Sequence, residues 1–273
     1  MTASTWHYGV TARWWAEFNT DGAEIGYFRR YAEAGQPALD LGCGTGRLLL
    51  PYLRDGLDVD GCDVSADMIA LCREAAGREG LEPSLYVQPK HELDLPRRYR
   101  TVFMCGALGV GSTRAEDQEA LRRVHDHLEP GGLFVLDNEV PYADGNGWHY
   151  WQSEGRATLP RPRRPPGERR VGSDGAEYEL RSRVLDLEPL EQRMTLEMQA
   201  FMWRDGVLIA EDEHLLVLTH YFKDEIVLML ERAGFVDVTV RAALTDAEPT
   251  AADDFLVYTA RRPTELPSAG GSE

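Results

Sequence analysis

Residues 38–48 read Ala38-Leu39-Asp40-Leu41-Gly42-Cys43-Gly44-Thr45-Gly46-Arg47-Leu48. A short apolar run ends in three glycines that alternate with other residues, and an aspartate stands two residues ahead of the first. A strand, a glycine turn and a helix in this order open nucleotide-binding βαβ units. Two features set this turn apart. The dinucleotide pattern G-x-G-x-x-G needs its third glycine where Arg47 stands, and the glycine comes one residue early, at Gly46. The charge is also opposite to what a phosphate needs. A helix N-terminus attracts a pyrophosphate, whereas Asp40 at the mouth of the turn repels one at short range. The turn suits a ligand that is cationic at this end.

Outward from the turn, strands alternate with helical segments. Arg47 to Arg54 reads as a helix stopped by Gly56, with Pro51 bending it slightly. A second strand, Leu57 to Cys62, runs into Asp63, and Ser65 is the natural N-cap of a helix through Met68, Ile69 and Arg73. Short strands follow at Leu85 to Val87 and Thr101 to Cys105, then a helix from Arg114 to Leu128. Glu129-Pro130-Gly131-Gly132 reads as a turn before a fifth strand, Leu133 to Leu136. This rhythm predicts an α/β fold: a doubly wound, mostly parallel, seven-stranded Rossmann-like sheet with helices on both faces.

The pattern changes after Tyr142. Residues 156–170 are rich in Arg and Pro and read as an extended loop. Three strand-like runs follow without helices between them, Tyr178 to Leu187, Gln192 to Trp203 and Val207 to Leu218, with Asp205-Gly206 as a hairpin turn. They predict an inserted antiparallel β cap. Phe222 to Arg232 is helical, and Val236 to Arg241 and Phe255 to Ala260 are the closing strands. The organisation expected is a helical segment at 1–35, a ligand-binding core at 36–141, a loop and cap at 142–219, closing elements at 220–262 and a disordered tail at 263–273.

The net charge is −17. Such a surface repels nucleic acids, whose nonspecific affinity comes from neutralised phosphates. A small-molecule substrate and no nucleic-acid partner are expected. No apolar run approaches the ~20 residues that span a bilayer, and the opening MTASTWHYGVTARWW lacks a basic stretch followed by an apolar one. No membrane partner and a cytoplasmic location are expected, with monomer and homodimer both open. Cys43, Cys62, Cys72 and Cys105 form no CxxC pair and match no zinc spacing. They are expected to be reduced and buried, with no metal site.

S-adenosylmethionine is a ligand that fits an acidic turn, since it carries an ammonium and a sulfonium and no phosphate. Its carboxylate could meet backbone N–H groups nearby. Asp63, 21 residues past Gly42, can accept hydrogen bonds from ribose hydroxyls at a strand end. Asp40-x-Gly42-x-Gly44-x-Gly46, then Asp63, then Leu128-Glu129-Pro130-Gly131-Gly132 resemble the class I S-adenosylmethionine-dependent methyltransferases, over about residues 36–140 and the last helix and strands. The resemblance implies a methyltransferase. It places Asp40 and the Gly42-Cys43-Gly44 backbone at the methionine end, Asp63 at the ribose, Val64 and Met68 at the adenine, Lys90 and His91 beside the adenine amine, and Cys105 and Gly106 along the cofactor. Two departures stand out: Gln88-Pro89-Lys90-His91 replaces the Gly-Asp pair many members carry, and Thr101 replaces an aspartate.

Methyl transfer needs alignment more than a base, and no motif marks a base here. Glu139 and His220 are the first candidates for catalysis, with Tyr8 as a positioning hydroxyl. Trp15, with Trp14, either covers the cofactor, its ring face favouring the positive sulfonium, or packs the helix onto the sheet. The six arginines of 156–170 either recruit an anionic substrate or offset an acidic body. A weaker resemblance, carried by the cap and His220-Tyr221-Phe222, points to the small-molecule branch, with an N or O acceptor. A protein acceptor and a non-catalytic cofactor-binding domain are the alternatives.

Overall fold

The computed structural model describes residues 5–143 and 145–264. The tail expected to be disordered therefore lies, from residue 265 on, outside the described residues. Two N-terminal helices, α1 (Gly9–Phe18) and α2 (Ala23–Ala34), lead into β1 (Ala38–Leu41). Then come α3 (Leu49–Arg54), β2 (Val59–Asp63), α4 (Ala66–Arg78), β3 (Leu85–Val87), β4 (Tyr99–Met104), α5 (Arg114–His127) and β5 (Leu128–Glu139). The insertion holds α6 (Gly145–His149), α7 (Ser153–Arg156) and strands β6 (Arg170–Val171), β7 (Glu177–Glu188), β8 (Arg193–Arg204) and β9 (Val207–Thr219). The chain closes with α8 (Lys223–Arg232), β10 (Val236–Ala242) and β11 (Phe255–Arg261).

The main sheet has seven strands in the order β10-β11-β5-β4-β1-β2-β3. Its first five strands by sequence are parallel, and β11 is antiparallel to both β5 and β10. Alternate residues of the central strands feed two cores. Val102, Met104, Phe134 and Leu136 pack with Leu121 and Val124 of α5 and Ile226 and Leu230 of α8. Phe103 and Val135 pack with Phe28, Leu49 and Tyr52 on the opposite face. Burial on both faces is why these strands read as unbroken apolar runs. Successive strands build outward in opposite directions from β1 and β4, so a crevice opens at their carboxyl ends.

The cap is a four-stranded antiparallel sheet, β6-β7-β8-β9. Asp205 and Gly206 both have positive φ, as the tight hairpin requires. Helix α1 lies against α4 of the core and against β8 and β9 of the cap. Two amides at its N-terminus are satisfied by carboxylates from these two bodies: Gly9 N–H donates to Asp67 at 2.7 Å and Val10 N–H to Asp212 at 2.6 Å. The far end of β9 is stitched to the loop after β4. Gly111 N–H donates to the Val217 carbonyl, Thr219 N–H to the Gly109 carbonyl, and the Thr219 hydroxyl to the Ser112 carbonyl.

Three local expectations change. The helical segment expected at 1–35 is broken at 19–22, because α1 packs between α4 and the cap while α2 stays on the sheet. Glu129 to Gly132 is not a separate turn but the start of β5. Gly131 bends there at φ 76°, and its amide bonds the Arg262 carbonyl. Helix α3 begins two residues later than Arg47, since the glycine turn takes up those residues.

Gly109 has φ 76°, and a Cβ there would overlap the Thr219 carbonyl oxygen. Gly109→Ala is expected to lose about 2–4 kcal/mol of stability, read by urea denaturation; an unchanged midpoint would mean the seam between β9 and the loop contributes nothing.

Candidate functional site

A cavity of about 260 Å³ occupies the crevice, close to the lower end of small-ligand pockets. Its floor is the glycine turn. Asp40 is the last residue but one of β1 and is buried, and Leu49 N–H donates to its carboxylate. Burial raises its pKa to about 8, against the opposing pull of the Arg47 guanidinium. Asp63 ends β2 and organises the turn: its two oxygens accept from Gly44 N–H at 2.9 Å and Ser65 N–H at 2.8 Å. Ser65 in turn accepts from Met68 N–H, capping α4 as the sequence reading expected. Burial raises the pKa of Asp63 also, opposed by these backbone donors.

Asp40, Gly42, Cys43, Gly44, Asp63, Val64, Met68, Lys90, His91, Cys105 and Trp15 all line this one cavity. The structure thus brings together every residue expected at the cofactor. Tyr8, Glu139 and His220 are not among its lining residues. Tyr8 caps α1 with its ring 6.2 Å from His214 of the cap, and its hydroxyl pKa is raised by burial and by the nearby charges of Asp63 and Asp67. His220 stands at the end of β9 against Trp151, its Nε2 buried without a hydrogen-bond partner and its pKa lowered by burial. Glu139 is exposed at the end of β5.

Several wall residues carried no motif. Thr5, His7 and Asn19 close the N-terminal side, and Val110, Gly111 and Ser112 the cap side. Burial lowers His7 to a pKa of about 4, so its ring is neutral. Arg47, read from sequence only as the residue that breaks the dinucleotide pattern, lines the floor. Asp137 lies behind Cys105 and Gly106. It accepts from Gly106 N–H, leaves Oδ2 without a partner, and is raised to a pKa of about 6 by burial. Lys90 is placed differently from a free adenine contact. Its ammonium pairs with buried Asp117 at 3.0 Å and donates to the Ala107 and Val110 carbonyls. Asp117 also accepts from Ser112 at 2.7 Å and Tyr221 at 2.6 Å.

The Arg/Pro stretch lies as a strap on the cap. Arg163 pairs with Glu213 at 2.6 Å and Glu197 at 3.3 Å, and the Arg169 guanidinium sits 3.8 Å from the Trp203 ring centre. Trp148 and Trp151 stack at 5.5 Å beside Phe222. The four cysteines are free thiols, and no metal-holding cluster occurs among the described residues. No described helix is long and apolar enough to cross a membrane.

The cavity fits a cationic amino-acid nucleoside. Asp40 offers a buried carboxylate to a cation, and Asp63 can still accept hydroxyl protons on its remaining lone pairs. Space lies over the turn, since a Cβ built on Gly44 or Gly106 meets nothing within 4 Å.

Residues 38–132 match a methyltransferase domain model. A putative methyltransferase of Geobacillus is 27% identical over 116 residues, 42% of this chain and 47% of that protein. An N,N-dimethyltransferase of Streptomyces fradiae, named for dTDP-3-amino-3,6-dideoxy-alpha-D-glucopyranose, is 32% identical over 111 residues, 40% of this chain and 42% of that protein. The chain therefore spans less than half the length of these curated relatives. Among solved structures, an S-adenosylmethionine-dependent methyltransferase from Clostridium acetobutylicum superposes with a TM-score of 0.65 at 16% identity, covering 88% of this chain and 90% of that one. The fold is that of the class I S-adenosylmethionine-dependent methyltransferases. The likeness over residues 38–132 is to the methyltransferase domain of that family.

A raised carboxyl pKa means the burial cost vanishes below the unfolded value, near 4, and grows as pH rises toward 8. Asp40→Asn, which keeps an acceptor for Leu49, is expected to stabilise the ligand-free protein by about 1–2 kcal/mol at pH 8, a gap that closes by pH 4 in melting curves. Lys90→Met leaves Asp117 buried without its cation and is expected to cost about 3–5 kcal/mol in urea; a loss below 1 kcal/mol would make the pair a surface-like contact.

Proposed function

We propose that the protein binds S-adenosylmethionine in the cavity above the glycine turn and transfers its methyl group to a nitrogen or oxygen of a small-molecule acceptor. The observation that carries this reading is the pairing of two carboxylates, Asp40 and Asp63, at the carboxyl ends of adjacent strands in one cavity. The cofactor, when bound, supplies a methyl group already activated as a sulfonium. The protein's part is then to align it and keep water out. Asp40 holds the ammonium by charge. Asp63 accepts the ribose hydroxyls while its bonds to Gly44 and Ser65 hold it still. Val64 and Met68 pack on the adenine, with the Lys90 stem and His91 beside it, and Cys105 and Gly106 run along the cofactor. Trp15 presents an aromatic wall.

The acceptor comes from the side of the cap. An amine on a small polar molecule of the amino-sugar kind is favoured. A second curated relative, from Streptomyces venezuelae, is also named as an N,N-dimethyltransferase of a dTDP-amino sugar. The DesVI structure from the same species superposes over 92% of this chain with a TM-score of 0.62. A protonated amine must lose a proton before it can attack. His220, kept neutral by burial with a free ring nitrogen, and Glu139 are the groups proposed to receive it, and Tyr8 the hydroxyl that positions the acceptor.

Calorimetric titration with S-adenosylmethionine and S-adenosylhomocysteine is the direct test. Micromolar binding is expected, weakened by about 100-fold or more in Asp63→Ala. Mass spectrometry of amine and phenol acceptors then reads the gain of a methyl group. Binding of neither ligand would refute the reading.

A further inference from the structure

The methionine end of the cofactor carries a carboxylate as well as an ammonium. On the cofactor reading above, that carboxylate enters a cavity floor dominated by like charge, Asp40 and Asp63 with Asp137 behind. Four amides of the glycine turn are already engaged within the protein. Gly42 and Cys43 N–H both donate to the Cys62 carbonyl, Gly44 N–H to Asp63, and Gly46 N–H to the Cys43 carbonyl. The neighbouring Leu49 N–H is taken by Asp40.

The cations lining the cavity narrow to one. Lys90 is consumed by Asp117 and two carbonyls. His7 is neutral. His91 stands beside Lys90 at the other end, within 3.9 Å of Glu92 and 3.7 Å of Glu116. Arg47 remains. Its five donors are poorly used: Nη1 lies 3.1 Å from Glu24 and 3.5 Å from the Asp21 carbonyl, and Nη2 makes a long contact of 3.7 Å to Cys105 Sγ. Glu24 sits in the first turn of α2, so the pair also fastens the linker between α1 and α2 over the cavity.

We infer that Arg47 is the carboxylate-binding residue of this cavity, with Glu24 as the internal counter-ion that holds the guanidinium in place before the ligand arrives. The ligand's zwitterion is then read by an inverted pair, ammonium on Asp40 and carboxylate on Arg47. Planar, forked donors suit a carboxylate better than a lysine would.

The test compares two ligands by calorimetry: S-adenosylhomocysteine and its decarboxylated analogue, which keeps the adenosine, thioether and ammonium. The native protein is expected to prefer the carboxylate-bearing ligand by about 10-fold or more. In Arg47→Met that preference is expected to collapse to within about 2-fold, through a loss of affinity for the carboxylate-bearing ligand that the decarboxylated one does not share. Arg47→Gln is measured beside it, and a native-like melting curve qualifies either variant. A preference that survives the substitution overturns the inference. So does an equal loss for both ligands, which would make Arg47 a structural residue. Native protein that binds neither ligand refutes the cofactor reading instead, and this inference with it.

Discussion

The site rests on one carboxylate bonded to backbone. Asp63 ends β2, accepts the Gly44 amide across the crevice and accepts the Ser65 amide ahead of α4. One side chain thereby sets the shape of the glycine turn and the start of the neighbouring helix. The turn can then hold Asp40 buried beside it, at a cost that a cation or a proton removes. A carboxyl group raised to a pKa near 8 in the ligand-free fold is a group arranged for a charged guest. Stability is given up locally, at the two strand ends that floor the cavity.

Much of this was legible in the sequence because it is written locally. The central strands are apolar runs bounded by Gly and Pro, Ser65 caps α4, and Asp205-Gly206 turns the cap hairpin. Most of the residues expected at the cofactor could be brought to one cavity because they lie at or near strand ends. What stayed hidden depends on partners far along the chain. Lys90 meets Asp117 and Tyr221 meets Asp117 only after folding, and no spacing announces either. The break between α1 and α2 was hidden for the same reason: its cause is the cap sheet, more than a hundred residues later. The acceptor side was the least legible. Tyr8, Glu139 and His220 were chosen by residue type and position, and none of them lines the cofactor cavity.

The Arg/Pro stretch shows how a composition signal is settled by neighbours. Its arginines face acids and aromatic rings of the cap: Glu197 and Glu213 for Arg163, Glu177 and Trp203 for Arg169, and Phe18 for Arg170. Of its two readings, charge compensation describes these contacts. Glu197 and Glu179 are buried on the cap because the strap and the arginines of β7 neutralise them. The strap lets a strongly acidic chain carry a sheet with carboxylates on its outer face.

Helix α1 is held at the same end by two bodies, through Asp67 of the core and Asp212 of the cap. The cap is held again at the far end of β9, where three hydrogen bonds join it to the loop after β4. A swing of the whole cap would have to break both attachments together. Unwinding the first turn of α1 breaks its bonds to Asp67 and Asp212, and lifting the wall made by Thr5 and His7 also breaks the bond from the Ser65 hydroxyl to the His7 carbonyl. The first turn of α1 therefore joins core, cap and cavity wall at one place.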